Sequence, residues 1–284
     1  AMGDTVELVL KDEPGLVVVS IDGDGGKLPL EAEKNTCAVA IQAMLDELDS
    51  KVGMNIYLAK GLPLGSGMGS SAASAVAALA AANRLLGDPF EKKDLLPFAI
   101  AAEKVACGAG HADNVAPSLL GGFVLVRDYH PLDVIKLPVP NGLYCTLLHP
   151  HYELKTADSR SVLRDQIPMK HATIQSGNVA GLIAGLYESD FQLISRSLRD
   201  VIAEPYRAVL LPGFYEVREA LKAAGALGMG ISGSGPTLFA LSLGKEIAEA
   251  VGAAGKEIFS KIGLDVDVYF SEINTRGAYV IEEK

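Results

Sequence analysis

Gly61-Leu62-Pro63-Leu64-Gly65-Ser66-Gly67-Met68-Gly69-Ser70-Ser71-Ala72-Ala73-Ser74 is the stretch whose reading decides the fold. Before it, Met54–Ala59 alternates apolar residues as a strand does. After it, Ser70–Leu86 is rich in alanine and leucine, holds no glycine or proline, and is stopped by Leu86-Gly87-Asp88-Pro89. The spacing predicts a strand, a glycine-rich loop and a helix in succession. Glycines at 65, 67 and 69 let the backbone turn its N–H groups inward at φ values that other residues resist, and the resulting anion nest runs into a helix N-terminus. Such a nest suits a polyphosphate. Ser70 and Ser71 stand where a hydroxyl either caps the helix or coordinates magnesium. Two other phosphate motifs are excluded: no lysine lies inside the loop, as a Walker loop requires, and the glycines do not follow the G-x-G-x-x-G spacing. The plainer reading is a strand-to-helix turn with capping serines.

Working outward, Val6–Leu10 and Leu16–Ile21 also alternate as strands, and Thr36–Leu48 carries apolar residues at helical spacing. A helix over Leu95–Ala106 leads to the turn Gly108-Ala109-Gly110-His111, a short segment and the strand Gly122–Arg127. Leu143–His149 reads as a strand, and Asp158 to Ser197 as helical with a polar face. Beyond it, Glu216–Ala224 and Ile247–Ile262 read as helices. Met229–Leu241 is a second Gly-Ser loop entering an apolar strand, while Val266–Phe270 and Tyr279–Ile281 are predicted strands. The second half is a split α+β layout, with helices on one side of an antiparallel sheet. A boundary near Pro138–Asn141 divides the chain into domains 1–139 and 140–284.

Composition narrows the function. The 284 residues are 49% hydrophobic and 21% charged, as in a soluble globular protein, and the 25 basic against 35 acidic residues leave a net charge of −10. A nucleic-acid partner is excluded by repulsion, whereas a nucleotide held by backbone N–H groups is not. Cys37, Cys107 and Cys145 are odd in number and far apart, so neither a disulfide framework nor a thiolate metal site is indicated. A reducing cytoplasm fits. The longest run of small apolar residues, Ala72–Ala82, is about half the length of a membrane crossing, and no secretion signal opens the chain. His149 and His151 alternate on one strand but lack a third ligand, so no metal site is expected there.

The string Pro63–Ala73, P-L-G-S-G-M-G-S-S-A-A, resembles the ATP loop of the GHMP kinases, and Gly230-Ile231-Ser232-Gly233-Ser234-Gly235-Pro236-Thr237 is similar to their C-terminal glycine-rich motif. Within that superfamily, His111-Ala112-Asp113-Asn114-Val115-Ala116-Pro117, Glu204-Pro205-Tyr206-Arg207 and Leu211-Pro212-Gly213-Phe214 resemble the homoserine kinases. The resemblance implies an α+β, two-lobed fold, with an N-terminal α/β lobe carrying the phosphate loop and a C-terminal ferredoxin-like α+β lobe. It implies ATP and Mg²⁺ as cofactors, with ATP bound by Pro63, Leu64, Gly65, Ser66, Gly67, Met68, Gly69, Ser70, Ser71, Ala72 and Ala73 together with Gly233, Ser234 and Gly235. Glu103 and Ser71 then correspond to the magnesium ligands.

The implied acceptor is L-homoserine, bound by His111, Asp113, Asn114, Arg160 and Arg207. A histidine, an aspartate and an amide suit an amino-acid alcohol, and a guanidinium suits its carboxylate. Asp113, Asn114 and Glu103 form the catalytic set, with Asp113 either taking the hydroxyl proton or orienting the substrate. A homodimer is implied as well. The family's opening segment, of the type P-x-S-x-A-N-x-G-x-G-F-D, is not found before Gly3-Asp4-Thr5-Val6-Glu7, so one wall of the acceptor site is expected to be lacking from this chain. Two other readings stay open on residues alone: a kinase of the same family for another small alcohol such as mevalonate, and a relative that binds nucleotide without transferring phosphate.

Overall fold

The alternation near the N-terminus folds as β1 (Thr5–Lys11), β2 (Leu16–Asp22) and, beyond helix α1 (Thr36–Glu47), β3 (Gly53–Ala59), in a computed structural model that describes residues 3–108 and 110–281. Central β3 pairs antiparallel with β1 and parallel with β2, so the order is β1-β3-β2. Its alternate residues Met54, Ile56 and Leu58 point into the core, as a period of two requires. Asn35 caps α1, its side-chain oxygen accepting from the Cys37 N–H at 3.0 Å.

Three further helices follow, α2 (Ser70–Leu85), α3 (Leu96–Cys107) and α4 (Ala112–Leu120), and then a hairpin of β4 (Phe123–Tyr129) and β5 (Leu132–Leu137). The alanines of α2 explain its place. Ala72, Ala75, Ala78 and Ala82 are fully buried, and their small size lets α2 lie close to the α1 residues Ile41 and Met44 in one core.

The chain divides into two units. The first comprises the described residues 3–64, 69–136 and 275–281, and the second Gly65–Met68 with Leu137–Asn274. The second unit contains β6 (Leu143–Pro150), α5 (Thr156–Ser161), α6 (Met169–Glu188), α7 (Phe191–Ser197), α8 (Glu204–Arg207), α9 (Phe214–Ala223), β7 (Gly228–Ile231), β8 (Leu238–Leu243), α10 (Lys245–Lys261) and β9 (Val266–Glu272). Its sheet order is β7-β8-β6-β9, every neighbouring pair antiparallel, which is the ferredoxin-like arrangement expected. Phe214, Val217 and Leu221 of α9 and Val251 and Phe259 of α10 pack on Leu148, Leu238 and Ala240 of the sheet. Gly255 lets α10 settle there, since a Cβ at that position would stand 2.4 Å from Leu148 Cδ1.

Three sequence expectations change. The short segment after Gly110 is helix α4, despite Pro117 inside it, and β5 forms where no strand is expected. Tyr279–Ile281 is not a strand. Residues 275–280 instead run as an irregular strap, with Ala278 N–H donating to Leu119 O at 3.2 Å and the ammonium groups of Lys92 and Lys136 donating to the carbonyls of Arg276 and Thr275 at 2.7 and 2.8 Å. These bonds hold the strap without a ladder, so alternation alone misleads. In the turn expected at 108–111, Ala109 lies outside the described residues, as do Ala1 and Met2.

At Gly277 (φ 67°) a Cβ would meet Leu119 O at 2.2 Å and Gly121 N at 2.6 Å, both rigid backbone atoms. Gly277→Ala is expected to destabilise the protein by about 2 kcal/mol or more, read as a drop of about 5 °C in the thermal midpoint.

Candidate functional site

In the first unit the site begins with two residues that motif reading passes over, Asp4 and Lys60. Their side chains are 0% and 1% exposed and form an ion pair. Lys60 Nζ also donates to Ser70 O and Ser74 Oγ, each at 2.8 Å. Asp4 Oδ1 accepts from the N–H groups of Gly61 (2.9 Å) and Leu62 (3.1 Å), and its Oδ2 from Ser74 Oγ at 2.6 Å. The signal available in the sequence was the lysine immediately before Gly61; nothing in the chain marks Asp4 as its partner.

The helix N-terminus differs from the plainer reading. The N-cap of α2 is Gly69 (φ 70°), and no side chain caps the helix. Ser70 Oγ donates instead to Leu62 O at 3.0 Å, while Ser71 Oγ is buried and, among the described residues, has no hydrogen-bond partner. The two serines thus divide: Ser70 braces the loop, and Ser71 offers an oxygen. Glu103, on α3, is 4% exposed rather than on a solvated helix face.

His111 is the N-cap residue of α4, with Asp113 and Asn114 in the first turn rather than in a loop between glycines. Asn114 lies against the phosphate loop, since a Cβ on Gly69 would stand 3.3 Å from its Oδ1. Asp113 is exposed and His111 half-buried. The Tyr129 hydroxyl, a group the sequence did not single out, accepts from Ala112 N–H at 3.2 Å and so steadies the start of α4.

In the second unit, Gly65–Met68 packs against the turn joining β7 to β8. Ser232 Oγ donates to Gly67 O at 2.9 Å, and Thr237 N–H to Ser66 O at 3.3 Å. The packing is tight: a Cβ on Gly67 (φ 81°) would meet Ser232 O at 2.5 Å and Gly235 O at 2.8 Å. Ser234 Oγ also lies 3.3 Å from Thr156 Oγ1. Fully buried Thr237 is fixed in turn by His149 Nδ1, 3.0 Å from its Oγ1, and burial lowers the pKa of that imidazole. His151 faces Asp267 at 2.9 Å, so the two histidines do separate things.

Arg207 is half-buried at the end of α8. Its Nη1 donates to Gly233 O at 2.9 Å and its Nε to Ser159 O at 3.3 Å. Burial lowers its pKa, the Asp200 carboxylate opposes that shift, and the charge of Arg160 adds to it, so both arginines act in one region. A cavity of about 240 Å³ opens beside Arg207, lined also by Gln175, Asn178, Asp200, Glu204 and Phe239. Among the described residues no group of three metal-binding His, Cys, Asp or Glu side chains occurs.

Comparison with known proteins gives the family. Residues 35–122 match the GHMP kinases N terminal domain, and residues 182–261 the GHMP kinases C terminal domain. A homoserine kinase of Chlorobium phaeobacteroides is 52% identical, over 98% of this chain and 91% of that protein. The crystal structure of a homoserine kinase from Cytophaga hutchinsonii is 54% identical and superposes with a TM-score of 0.94, over 97% of this chain and 87% of that one. An L. major mevalonate kinase in complex with R-mevalonate, 17% identical with a TM-score of 0.71 over 98% of this chain and 87% of its own, shares the fold. The expectation that a family segment is lacking is not borne out by these matches.

Gly67→Ala and Gly65→Ala separate crowding from backbone strain. Both positions have positive φ, but a Cβ on Gly65 (φ 66°) meets nothing within 4 Å. Gly65→Ala is expected to cost about 1 kcal/mol, and Gly67→Ala about 3 kcal/mol or more because backbone carbonyls must move. Urea unfolding monitored by circular dichroism checks the difference.

Proposed function

Because this chain belongs to the GHMP kinase family, we propose that it transfers the γ-phosphate of ATP to the hydroxyl of L-homoserine, giving O-phospho-L-homoserine on the route to threonine. The observation that carries the proposal is the start of α2, where a positive-φ glycine is the N-cap and, among the described residues, no side chain caps the helix. The first-turn N–H groups and the positive end of the helix dipole are left for an anion. Identity of 52% to a homoserine kinase supports the acceptor.

Phosphoryl transfer asks the protein for positioning and charge neutralisation more than for covalent chemistry. The Pro63–Ala73 loop, with Gly233, Ser234 and Gly235, binds the nucleotide. Ser71 and Glu103 fit a magnesium ion: the Ser71 hydroxyl is a buried oxygen without a partner, and a carboxylate is the other hard oxygen donor such an ion prefers. When bound, Mg²⁺ neutralises the phosphate oxygens as charge shifts to the leaving group. Arg160 and Arg207 bind the acceptor carboxylate, a role supported by the influence of the Arg160 charge on Arg207. His111, Asp113 and Asn114 contact the ammonium and hydroxyl groups. Asp113 is either the acceptor of the hydroxyl proton or its orienter; loss of the rate in Asp113→Asn without a change in acceptor KM identifies the former.

The domains are taken as 1–139 and 140–284, each containing one of the two family matches. A homodimer in the cytoplasm, without nucleic-acid or membrane partners, completes the proposal. The net charge of −10 disfavours a nucleic-acid partner, and no helix among the described residues is long and apolar enough to cross a membrane.

Coupled measurement of ADP release is expected to show turnover with homoserine and none with mevalonate or shikimate. No release with homoserine refutes the acceptor assignment. Arg207→Ala is expected to raise the homoserine KM about 100-fold, with a smaller effect on ATP. Ser71→Ala is expected to raise the Mg²⁺ concentration for half-maximal rate about tenfold.

A further inference from the structure

Asp4, Lys60 and Ser74 are buried where no ligand reaches them, yet their hydrogen bonds converge on the two ends of the phosphate loop. The Asp4 carboxylate holds the N–H groups of Gly61 and Leu62 at the entry, and the Lys60 ammonium holds Ser70 O at the exit. Ser74 Oγ joins the two charges, and Ser70 Oγ ties exit back to entry through Leu62 O at 3.0 Å. All three donors of the ammonium are engaged. The nearby Cys37 thiol, whose Sγ lies 3.4 Å from Ser74 O, is pushed up to about 12 by burial, so it stays protonated and offers Lys60 no rival anion.

A buried ion pair is a poor way to gain stability, since apolar side chains of similar volume often stabilise as well or better. What apolar side chains do not supply is direction. Between the two clamped ends lie Gly65, Gly67 and Gly69, residues whose backbone freedom makes a loop costly to order. Fixing the ends before the ligand arrives lowers that cost and aims the α2 N–H groups. We propose that Asp4, Lys60 and Ser74 are positioning residues for the nucleotide: without touching it, they pre-set the span from Gly61 to Ser70 and thereby the affinity for ATP.

The proposal rests on the kinase assignment, and one set of measurements separates the two. ADP release by the parent chain with homoserine tests the assignment. Calorimetric titration of each variant with Mg-ADP tests the positioning role whether or not an acceptor is turned over. The double variant Asp4→Leu/Lys60→Met replaces the pair with apolar side chains of similar volume. It is expected to keep its thermal midpoint within about 5 °C of the parent. Its Mg-ADP affinity is expected to fall about tenfold, with the KM for ATP rising alike and the KM for homoserine within roughly twofold of the parent. A folded double variant with nucleotide affinity unchanged to within roughly twofold, or with both KM values raised together, overturns the proposal. Should the double variant fail to fold, Ser74→Ala removes only the bridging hydroxyl. A loss of about threefold in Mg-ADP affinity supports the positioning role there, and unchanged affinity overturns it.

Discussion

Gly65, Gly67 and Gly69, at φ of 66°, 81° and 70°, carry the chain from β3 to α2 along a path that side-chain-bearing residues resist. At Gly67 the restriction is twofold, because the backbone of Ser232 and Gly235 also fills the space where a Cβ would lie. From this path follow the direction in which α2 starts, the absence of a capping side chain at Gly69, and the division of labour between Ser70 and Ser71. A loop built this way has little shape of its own, so its form is held by what surrounds it: charges at its ends and a tight turn against its middle.

The electrostatics follow the same economy. A chain with a net charge of −10 is suited to an anionic ligand only if the attraction is local. Two local sources of positive potential are present: the main-chain dipoles at the start of α2 in the first unit, and Arg160 with half-buried Arg207 in the second. Lys60, which a motif reader would count as a phosphate lysine from its place beside the loop, is fully committed to Asp4, Ser70 and Ser74. Glu103, a carboxylate of the first unit, is buried at 4% exposure.

Much of the fold was legible because its signals are local. Alternation in Val6–Leu10, Leu16–Ile21 and Met54–Ala59 follows from burying one face of a strand, and the alanines of α2 from helix propensity and close packing. The ferredoxin-like order of the second unit could be expected from the succession of strands and helices. Helix α4 was obscured by Pro117 and the neighbouring glycines, which locally read as breakers. Tyr279–Ile281 alternates but finds no strand to pair with, and its neighbours are instead tied to α4 and to two lysines.

That a glycine nest opens a helix, that a second Gly-Ser turn exists, and which residue types are at hand for an amino-acid alcohol could all be read from the residues alone. Each of these is a property of residues close together in the chain, governed by φ preference, capping and periodicity. It is the folded chain that sets Lys60 against Asp4 across 56 positions of sequence, Ser232 against Gly67 across 165, and leaves Ser71 rather than Ser70 with a hydroxyl to offer. Such pairings depend on which chain segments burial brings together, and a hydrogen bond between distant residues leaves no periodic trace in either of them. The glycine loop could be read from its own letters, but the groups that hold it in shape could not.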